Sequence, residues 1–218
     1  MEVKKLFSGV YLVDGKLATE NLDRGSRVYG EVLVPNGSKE YRLWNPYRSK
    51  LAAAIINGLK NFKFAEDSKV LYLGAATGTT SSHVSDIVQN GRVFCVELSE
   101  RNMRDLVKVC ERRRNMFPIL ADANNTGNYS KNVGICDIIY QDVSARDQAA
   151  ILNKNSTMLK RGGYAYFIIK SQSIDVSKKP EDVFDESLRD VQQNFEVVEK
   201  VKLEPFDELH MFVVLRKR

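Results

Sequence analysis

The chain has 218 residues, 43% of them apolar, enough for one medium-sized domain or for one domain with a small appendage. Its apolar runs are all shorter than the roughly 20 residues of a membrane-spanning helix, and its first residues lack the apolar core and cleavage site of a signal peptide, so we expect an intracellular protein. A net charge of +5 fits a polyanionic partner and an ordinary solvated surface about equally.

Cysteine and histidine usage argues against a metal or disulfide framework. The three cysteines, Cys95, Cys110 and Cys136, form no C-x-x-C pair and lie within apolar periodic segments. They are therefore predicted to be buried, reduced thiols. The two histidines lie far apart in the sequence, so we expect no histidine-based zinc site.

Residues 1–43 predict a small N-terminal antiparallel β domain. The segments GVYLV, RVYGEVLV and EYRLW alternate in polarity, and turn signals at Asp14-Gly15 and Pro35-Asn36-Gly37 separate them. Short alternating segments joined by such turns are typical of β-hairpins.

Residues 44–218 predict a second, α/β domain. Asn45-Pro46 supplies a helix cap and a first-turn proline, and Leu51, Ile55 and Leu59 share one face of the helix that should follow. From Ser68 onward, apolar runs alternate with helical patterns, which predicts a parallel sheet covered by helices on both faces. The runs are KVLYLG, RVFCVEL, FPIL, ICDIIY and GYAYFIIK.

The last two predicted strands, EVVEKVKL and HMFVVLRK, are joined only by EPFDEL. Six residues are too few for a helical crossover, so this pair must be antiparallel. A mostly parallel sheet with an antiparallel last strand resembles the Rossmann-like S-adenosylmethionine-dependent methyltransferase sheet. By itself this is a likeness of fold only.

Chemically informative residues stand at the ends of five successive predicted strands. They are Gly74, Glu97, Asp122, Asp142 and Lys170. In open α/β sheets the ligand lies outside the carboxyl ends of the strands, so these residues are candidates for a binding site.

The turn after the first of these strands reads Gly74-Ala75-Ala76-Thr77-Gly78, which lacks the G-x-G-x-x-G pattern of dinucleotide sites. A pyrophosphate is therefore disfavoured. The small residues still admit a ligand close to the backbone, and Thr79 and Thr80 add hydroxyls at the start of the next helix. Many α/β connections use glycine merely to turn, so this turn is a weak signal.

The acids point to a nucleoside. Glu97, at a second strand end, is placed to accept hydrogen bonds from the two hydroxyls of a ribose. Asp122 is placed to accept one from the exocyclic amine of an adenine, and Ala123 leaves room beside the ring. S-adenosylmethionine is a nucleoside derivative without phosphates, so it fits this set of residues. For Glu97, a solvated acid in a loop remains the alternative.

Five segments carry a family resemblance over essentially the whole chain. They are YRLWNPYRSKLAAAI, VLYLGAATGTTSSHVSDI, DIIYQDVS, IIKSQSIDV and LEPFDELHMFVV. They resemble fibrillarin, the 2′-O-methyltransferase of box C/D ribonucleoprotein particles, in its archaeal form without a glycine- and arginine-rich extension. One departure is DVSA, where other members have DVAQ.

The resemblance implies a catalytic tetrad on Lys50, Asp142, Lys170 and His210. Lys170 would be the base, Asp142 would orient it and the substrate hydroxyl, Lys50 would neutralise a phosphate, and His210 would complete the hydrogen-bond network. Without the resemblance, we would interpret Lys50 as a surface residue of a helix and His210 as a histidine at the end of a strand. The residues implied to bind the cofactor are Gly74, Ala75, Thr79, Thr80, Glu97, Leu98, Asp122, Ala123, Asp142, Val143, Ser144 and Ala145.

The resemblance further implies S-adenosylmethionine as cofactor, with S-adenosylhomocysteine as product, and a cytoplasmic location. The implied partners are a Nop56/58-type scaffold protein, a kink-turn-binding ribosomal-type protein, a box C/D guide RNA and an rRNA or tRNA target. Two alternatives stay open: a small-molecule methyltransferase, which predicts an enclosed acceptor pocket, and a non-catalytic assembly subunit that binds the cofactor only for stability.

Overall fold

The computed structural model describes residues 1–218 and begins with a five-stranded antiparallel sheet in the order β1-β2-β3-β5-β4. Its strands are β1 Val3–Phe7, β2 Val10–Val13, β3 Lys16–Glu20, β4 Leu33–Asn36 and β5 Lys39–Leu43. This confirms the predicted small β sheet, with two differences in its strands. The strands β1 and β3 were not singled out from the sequence, and most of RVYGEVLV is not a strand.

The segment before β4 turns because its backbone finds partners other than a neighbouring strand. The Glu31 carboxylate accepts from the backbone N–H groups of Val28 and Tyr29, and Gly30 has a φ of +87°. Alternating polarity alone does not reveal such a carboxylate cap. The boundary between domains at residues 43 and 44 stays a prediction.

The helix expected after Asn45-Pro46 is split. Pro46–Arg48 forms one turn of 3-10 helix, capped by the Asn45 side chain, which accepts from Tyr47 N. The α-helix α1 then runs over Lys50–Ile56 with Ser49 as its cap, so the prediction that Leu59 lies on that helix was wrong. Leu59 is nevertheless buried.

Seven strands form the second sheet in the order β11-β12-β10-β9-β6-β7-β8. They are β6 Lys69–Leu73, β7 Arg92–Glu97, β8 Met116–Leu120, β9 Cys136–Gln141, β10 Leu159–Lys170, β11 Phe195–Lys202 and β12 His210–Lys217. Neighbours from β8 to β10 pair parallel, whereas β12 pairs antiparallel with both β10 and β11. The predicted Rossmann-like sheet with an antiparallel last strand is confirmed.

Helices cover both faces of this sheet. They are α1, α2 Thr79–Ile87, α3 Glu100–Glu111, α4 Ser130–Val133, α5 Gln148–Asn155, α6 Ser171–Ile174 and α7 Pro180–Val191. Alternate residues of β6 divide between two cores: Val70 and Tyr72 pack with α1 to α3, and Leu71 and Leu73 pack with α5 and α7. No helix combines the length and the apolar character that crossing a bilayer requires.

The three cysteines are free and buried. Cys95 and Cys110 belong to the core on the α1 to α3 side, and Cys136 to the core on the other side. The prediction of buried thiols is confirmed.

The order of the strands reverses between β6 and β9, which is where open α/β sheets bind ligands. At this point the chain leaves β6 through Gly74, whose φ is +80°. A Cβ at Gly74 would lie 2.8 Å from the carbonyl oxygen of Asp142, which follows β9. The glycine therefore lets the two strand ends approach each other.

A buried ionic network joins the small sheet to α2. The Asp86 carboxylate accepts from Arg42 Nη1 at 2.9 Å, from the Thr19 hydroxyl at 2.7 Å and from Arg113 Nη1. Arg42 also meets Glu31 Oε1 at 2.6 Å. Because all of these side chains are almost fully buried, each charge depends on its partners to offset desolvation.

We expect Asp86→Ala to lower the free energy of unfolding by about 3–5 kcal/mol, because two guanidinium groups lose a buried counter-charge. Urea denaturation followed by circular dichroism measures the change. The matched control is Asp105→Ala, which breaks an exposed pair with Lys108 and should barely move the midpoint. Equal effects of the two substitutions would contradict the structural role of the network.

We expect Gly74→Ala to destabilise the protein more than Gly25→Ala does. Both glycines have nearly the same positive φ, +80° and +81°, so both variants carry a left-handed strain of about 1–2 kcal/mol. Only Gly74 adds a clash, because nothing lies within 4 Å of a Cβ at Gly25. Urea denaturation measures the free energy of unfolding of both variants, and the difference between them is the cost of the clash. Equal values would contradict the close approach of Gly74 to the Asp142 carbonyl.

Candidate active site

A cavity of about 600 Å³ opens at the carboxyl ends of β6 to β10. Most of the residues predicted to bind the cofactor line it, together with the predicted catalytic Lys170. These residues are Gly74, Glu97, Leu98, Asp122, Ala123, Asp142, Val143, Ser144 and Ala145. The structure therefore brings the predicted strand-end residues to one place.

Three predicted cofactor residues stand apart from this lining. Ala75 is 4% exposed and belongs to the core. Thr79 and Thr80 open α2 as expected, but the Thr80 hydroxyl donates to Ser49 Oγ at 3.0 Å. Because Ser49 caps α1, this contact joins the start of α2 to the start of the helix that carries Lys50.

Glu97 is held by backbone groups at the end of β7. Its Oε2 accepts from Ala76 N at 2.8 Å and its Oε1 accepts from Ser99 N at 2.8 Å. Ala76 has a φ of +48°, a left-handed conformation that alanine seldom adopts. Oε1 also accepts from Asn102 Nδ2 at 3.5 Å, whereas Oε2 has a single donor and can accept a second hydrogen bond from a ligand.

Asp122 has a similar arrangement after β8. Its Oδ1 accepts from Asn124 N at 2.8 Å, which closes a local turn and fixes the carboxylate. Asp122 and Ala123 both line the cavity, and Ala123 is 8% exposed. One acid and one small side chain therefore lie together, which suits the edge and face of a flat ring.

Two ammonium groups converge on Asp142 at one edge of the cavity. Lys170 Nζ lies 2.8 Å and Lys50 Nζ lies 3.3 Å from Asp142 Oδ1. That oxygen is inaccessible to solvent, yet no donor reaches it with hydrogen-bond geometry. Asp142 therefore has a compensated charge and one acceptor atom without an aligned donor.

Lys170 is 8% exposed, and its Nζ donates two hydrogen bonds, to the Asp142 carbonyl at 2.9 Å and to Ser144 Oγ at 3.1 Å. Its 2.8 Å approach to Asp142 Oδ1 is an ion pair without hydrogen-bond geometry. The Gln148 side chain clamps the Lys170 backbone: Oε1 accepts from Lys170 N, and Nε2 donates to Lys170 O. These contacts fix Lys170 Nζ beside Asp142.

A second pocket of about 210 Å³ lies on the other side of Asp142. Its lining includes Lys50, Asp142, Tyr47, Phe206 and Asp207. Tyr47 and Phe206 meet edge to face with ring centroids 5.0 Å apart. Because Asp142 lines both spaces, a group bound in one lies next to a group bound in the other.

His210 begins β12 directly opposite Lys170 in the antiparallel register. Its Nδ1 donates to Asp207 Oδ2 at 2.6 Å. Burial raises the pKa of Asp207, but the His210 hydrogen bond and the positive charges of His210 and Lys50 outweigh it, so the pKa is lowered overall. The pair therefore stabilises the fold above the carboxyl's unfolded pKa, and this contribution is lost as the pH falls through the lowered value.

Three residues of this site escaped the sequence analysis. Asp207 had a signal, since it stands three residues before His210 in EPFDELH. Gln148 and Asn102 had none, because each lies within a helix and reaches the site only through the fold. Asn102 lines the larger cavity beside Glu97.

Comparison with known proteins gives full-length matches. The family model described as fibrillarin matches residues 1–218. A fibrillarin-like rRNA/tRNA 2′-O-methyltransferase of Pyrococcus furiosus is 51% identical over 225 residues, covering 100% of this chain and 99% of that protein. The resemblance found in the sequence is therefore confirmed.

Solved structures agree over the whole fold. The Aeropyrum pernix fibrillarin in complex with natively bound S-adenosyl-L-methionine is 42% identical, with a TM-score of 0.91, and the match covers 99% of this chain and 98% of that one. The fibrillarin of a fibrillarin/Nop5p complex is 38% identical, with a TM-score of 0.91 and coverage of 99% and 100%. This chain belongs to the fibrillarin family.

Proposed function

We propose that the protein is an S-adenosylmethionine-dependent RNA 2′-O-methyltransferase that acts on rRNA, and on tRNA, as the catalytic subunit of a box C/D guide-RNA ribonucleoprotein. One observation carries the proposal: the paired carboxylate of Asp142 lies between a large cavity and a small pocket. A transferase needs this arrangement, because donor and acceptor must meet in line at one place. The relatives in this family are named as rRNA/tRNA 2′-O-methyltransferases.

The larger cavity suits S-adenosylmethionine. Glu97 keeps acceptor sites for the ribose hydroxyls, and Asp122 and Ala123 offer an acceptor and space for the adenine. The close approach at Gly74 leaves no room for a side chain between β6 and β9. When bound, S-adenosylmethionine supplies an activated methyl group on a sulfonium sulfur.

The smaller pocket suits a ribose hydroxyl. The Asp142 side chain is 16% exposed and lines this pocket, so its carboxylate can accept a hydrogen bond from the hydroxyl and orient the hydroxyl oxygen. Lys50 is 22% exposed in its side chain and lies at the same pocket, where it can pair with the phosphate beside the target ribose.

The size of this pocket favours RNA over a small molecule. Sites that enclose a small-molecule substrate measure about 300–1,000 Å³, whereas this pocket measures about 210 Å³. Only part of a nucleotide fits inside, and the rest of the RNA stays outside. The exposed Tyr47 and the half-buried Phe206 at this pocket form a surface that the rest of the RNA can contact.

Guide pairing would let these 218 residues act on a chosen nucleotide without reading the RNA sequence themselves. Where base pairing selects the target, the protein needs to recognise only the shape of the duplex. The modest net charge of +5 fits a subunit that other proteins anchor, because few phosphate contacts are then needed. We therefore infer a box C/D guide RNA, a Nop56/58-type scaffold as in the fibrillarin/Nop5p complex, and a kink-turn-binding protein as partners, in an archaeal cytoplasm.

We expect Glu97→Gln to weaken S-adenosylmethionine binding about ten- to one-hundredfold, because charge-assisted hydrogen bonds are worth about 1.5–3 kcal/mol each. Isothermal titration calorimetry of the free subunit measures the affinity. Glu100→Gln removes an equal charge from the first turn of α3 and serves as control. Equal affinities of the two variants would remove Glu97 from the binding site.

We expect the reconstituted particle to transfer a labelled methyl group to a guide-matched RNA, and no label to enter the same RNA with a 2′-deoxy target nucleotide. Asp142→Asn should reduce transfer by about 10²-fold or more, because the hydroxyl loses its orienting carboxylate while the particle still assembles. Scintillation counting measures methyl transfer, and native gels measure assembly of the particle. Label in the deoxy target would contradict the ribose assignment, and an active Asp142→Asn particle would contradict the catalytic site.

A further inference from the structure

We propose that Arg27 and Arg48 bind phosphate groups of the RNA strand that leaves the smaller pocket, in a basic cleft between the β3–β4 loop and α3. The inference rests on the proposed function and extends it, because it adds a surface for the RNA outside the predicted tetrad. Neither arginine was singled out from the sequence.

The basic cleft has a volume of about 400 Å³, and cationic side chains dominate its lining. The cations are Arg27, Arg48, Lys108, Arg112 and Arg113, and the only acids are Asp23 and Asp105. Its walls come from the β3–β4 loop, from the turn before α1, and from α3 with the residues that follow it. A concave surface with an excess of positive charge attracts a polyanion.

Three of the five cations already have acidic partners. These pairs are Arg112 with Asp23, Lys108 with Asp105 and Arg113 with Asp86. Arg27 and Arg48, by contrast, are exposed and form no ion pair with any residue of the chain. Their two guanidinium groups are therefore free to bind a phosphate, to which the planar fork of arginine is well suited.

Both guanidinium groups are held in place although they lack a counter-charge. Arg27 Nε donates to the Glu31 carbonyl at 3.0 Å, and Arg48 Cζ lies 5.9 Å from the centroid of the Tyr29 ring. Tyr29 is itself fixed, because its hydroxyl lies 2.8 Å from Nε2 of the buried His83. Neither contact uses the Nη groups as hydrogen-bond donors, so both arginines keep donors for a ligand.

The buried ionic network supports this arrangement through Glu31. The Glu31 carboxylate binds Arg42 and accepts from the backbone N–H of Tyr29 at 2.9 Å. The carbonyl of the same residue accepts from Arg27. One buried acid therefore fixes the loop that carries Arg27 and the ring that supports Arg48.

Arg48 connects the basic cleft to the pocket proposed for the target ribose. It lines the smaller pocket together with Lys50 and Asp142, and it also lines the basic cleft. Only part of a nucleotide fits in the smaller pocket, so the strand must continue outside it. Because RNA carries a negative charge at every nucleotide, this continuity favours RNA over an acidic protein segment as the occupant of the cleft.

Phosphate protection in the reconstituted particle tests the cleft without any methyl transfer. Ethylnitrosourea alkylates the accessible phosphates of the target strand, whereas a phosphate bound by arginine is protected. We expect protected phosphates beside the target nucleotide with the wild-type protein, and loss of protection with Arg27→Gln and with Arg48→Gln. Arg24→Gln is the matched control, because it removes an equal, exposed charge from the same loop, outside the lining of the cleft.

Single-turnover methyl transfer with altered target RNAs tests whether the contacts contribute to the reaction. A methylphosphonate replaces one phosphate at a time by a neutral group, on either side of the target nucleotide. At a contacted phosphate we expect it to slow transfer by the wild type about tenfold, the value of one charge-assisted hydrogen bond. In the arginine variant that lost this contact it should have no further effect, because both changes remove the same interaction.

The outcomes separate the inference from the proposed function. Protection that persists in both arginine variants, protection that is also lost with Arg24→Gln, or methylphosphonate effects that are equal in variants and wild type would each overturn the inference. A wild-type particle without protected phosphates would overturn it in favour of an acidic protein segment. A wild-type particle that protects the phosphates through Arg27 and Arg48 but transfers no methyl group would support the cleft and contradict the proposed function.

Discussion

The site depends on one carboxylate shared by two ammonium groups. Asp142 is mostly buried, and a buried carboxylate is costly unless counter-charges lie close, as Lys170 and Lys50 do at 2.8 and 3.3 Å. The three residues come from separate parts of the chain: α1, the loop after β9, and the end of β10. The Asp142 N–H donates to the Leu73 carbonyl at 2.9 Å, so the pairing of β6 with β9 sets where the charge lies.

The small sheet at the N-terminal end of the chain takes part in building that site. Its Arg42 reaches into α2 and binds Asp86, while the first turn of α2 binds the cap of α1 through Thr80 and Ser49. These contacts fix α1, and therefore Lys50, relative to the large sheet. The buried charges thus help to position Lys50 as well as joining the two sheets.

Two kinds of polar group surround Asp142 and divide the chemistry between them. On one side, Glu97 and Asp122 are held by backbone N–H groups and still have oxygens available, which suits the recognition of a neutral nucleoside. On the other side, Lys170 and Lys50 lie beside the Asp142 carboxylate, and His210 is paired with Asp207. The first arrangement leaves acceptors facing the larger cavity, and the second is a group of mutually compensated charges.

The sequence by itself determined the sheet and the strand-end residues, because apolar runs alternating with helical periods leave few ways to build a layered fold. Glu97, Asp122, Asp142 and Lys170 were found because parallel strands bring their carboxyl ends to one edge. Only the tertiary structure decided which atoms face each other: that Thr80 binds Ser49, that Asp207 holds His210, and that Lys170 binds the Asp142 carbonyl and Ser144. The physical reason is that periodicity reports which face of an element is buried, whereas hydrogen-bond partners far apart in sequence depend on distances that only the packed chain sets.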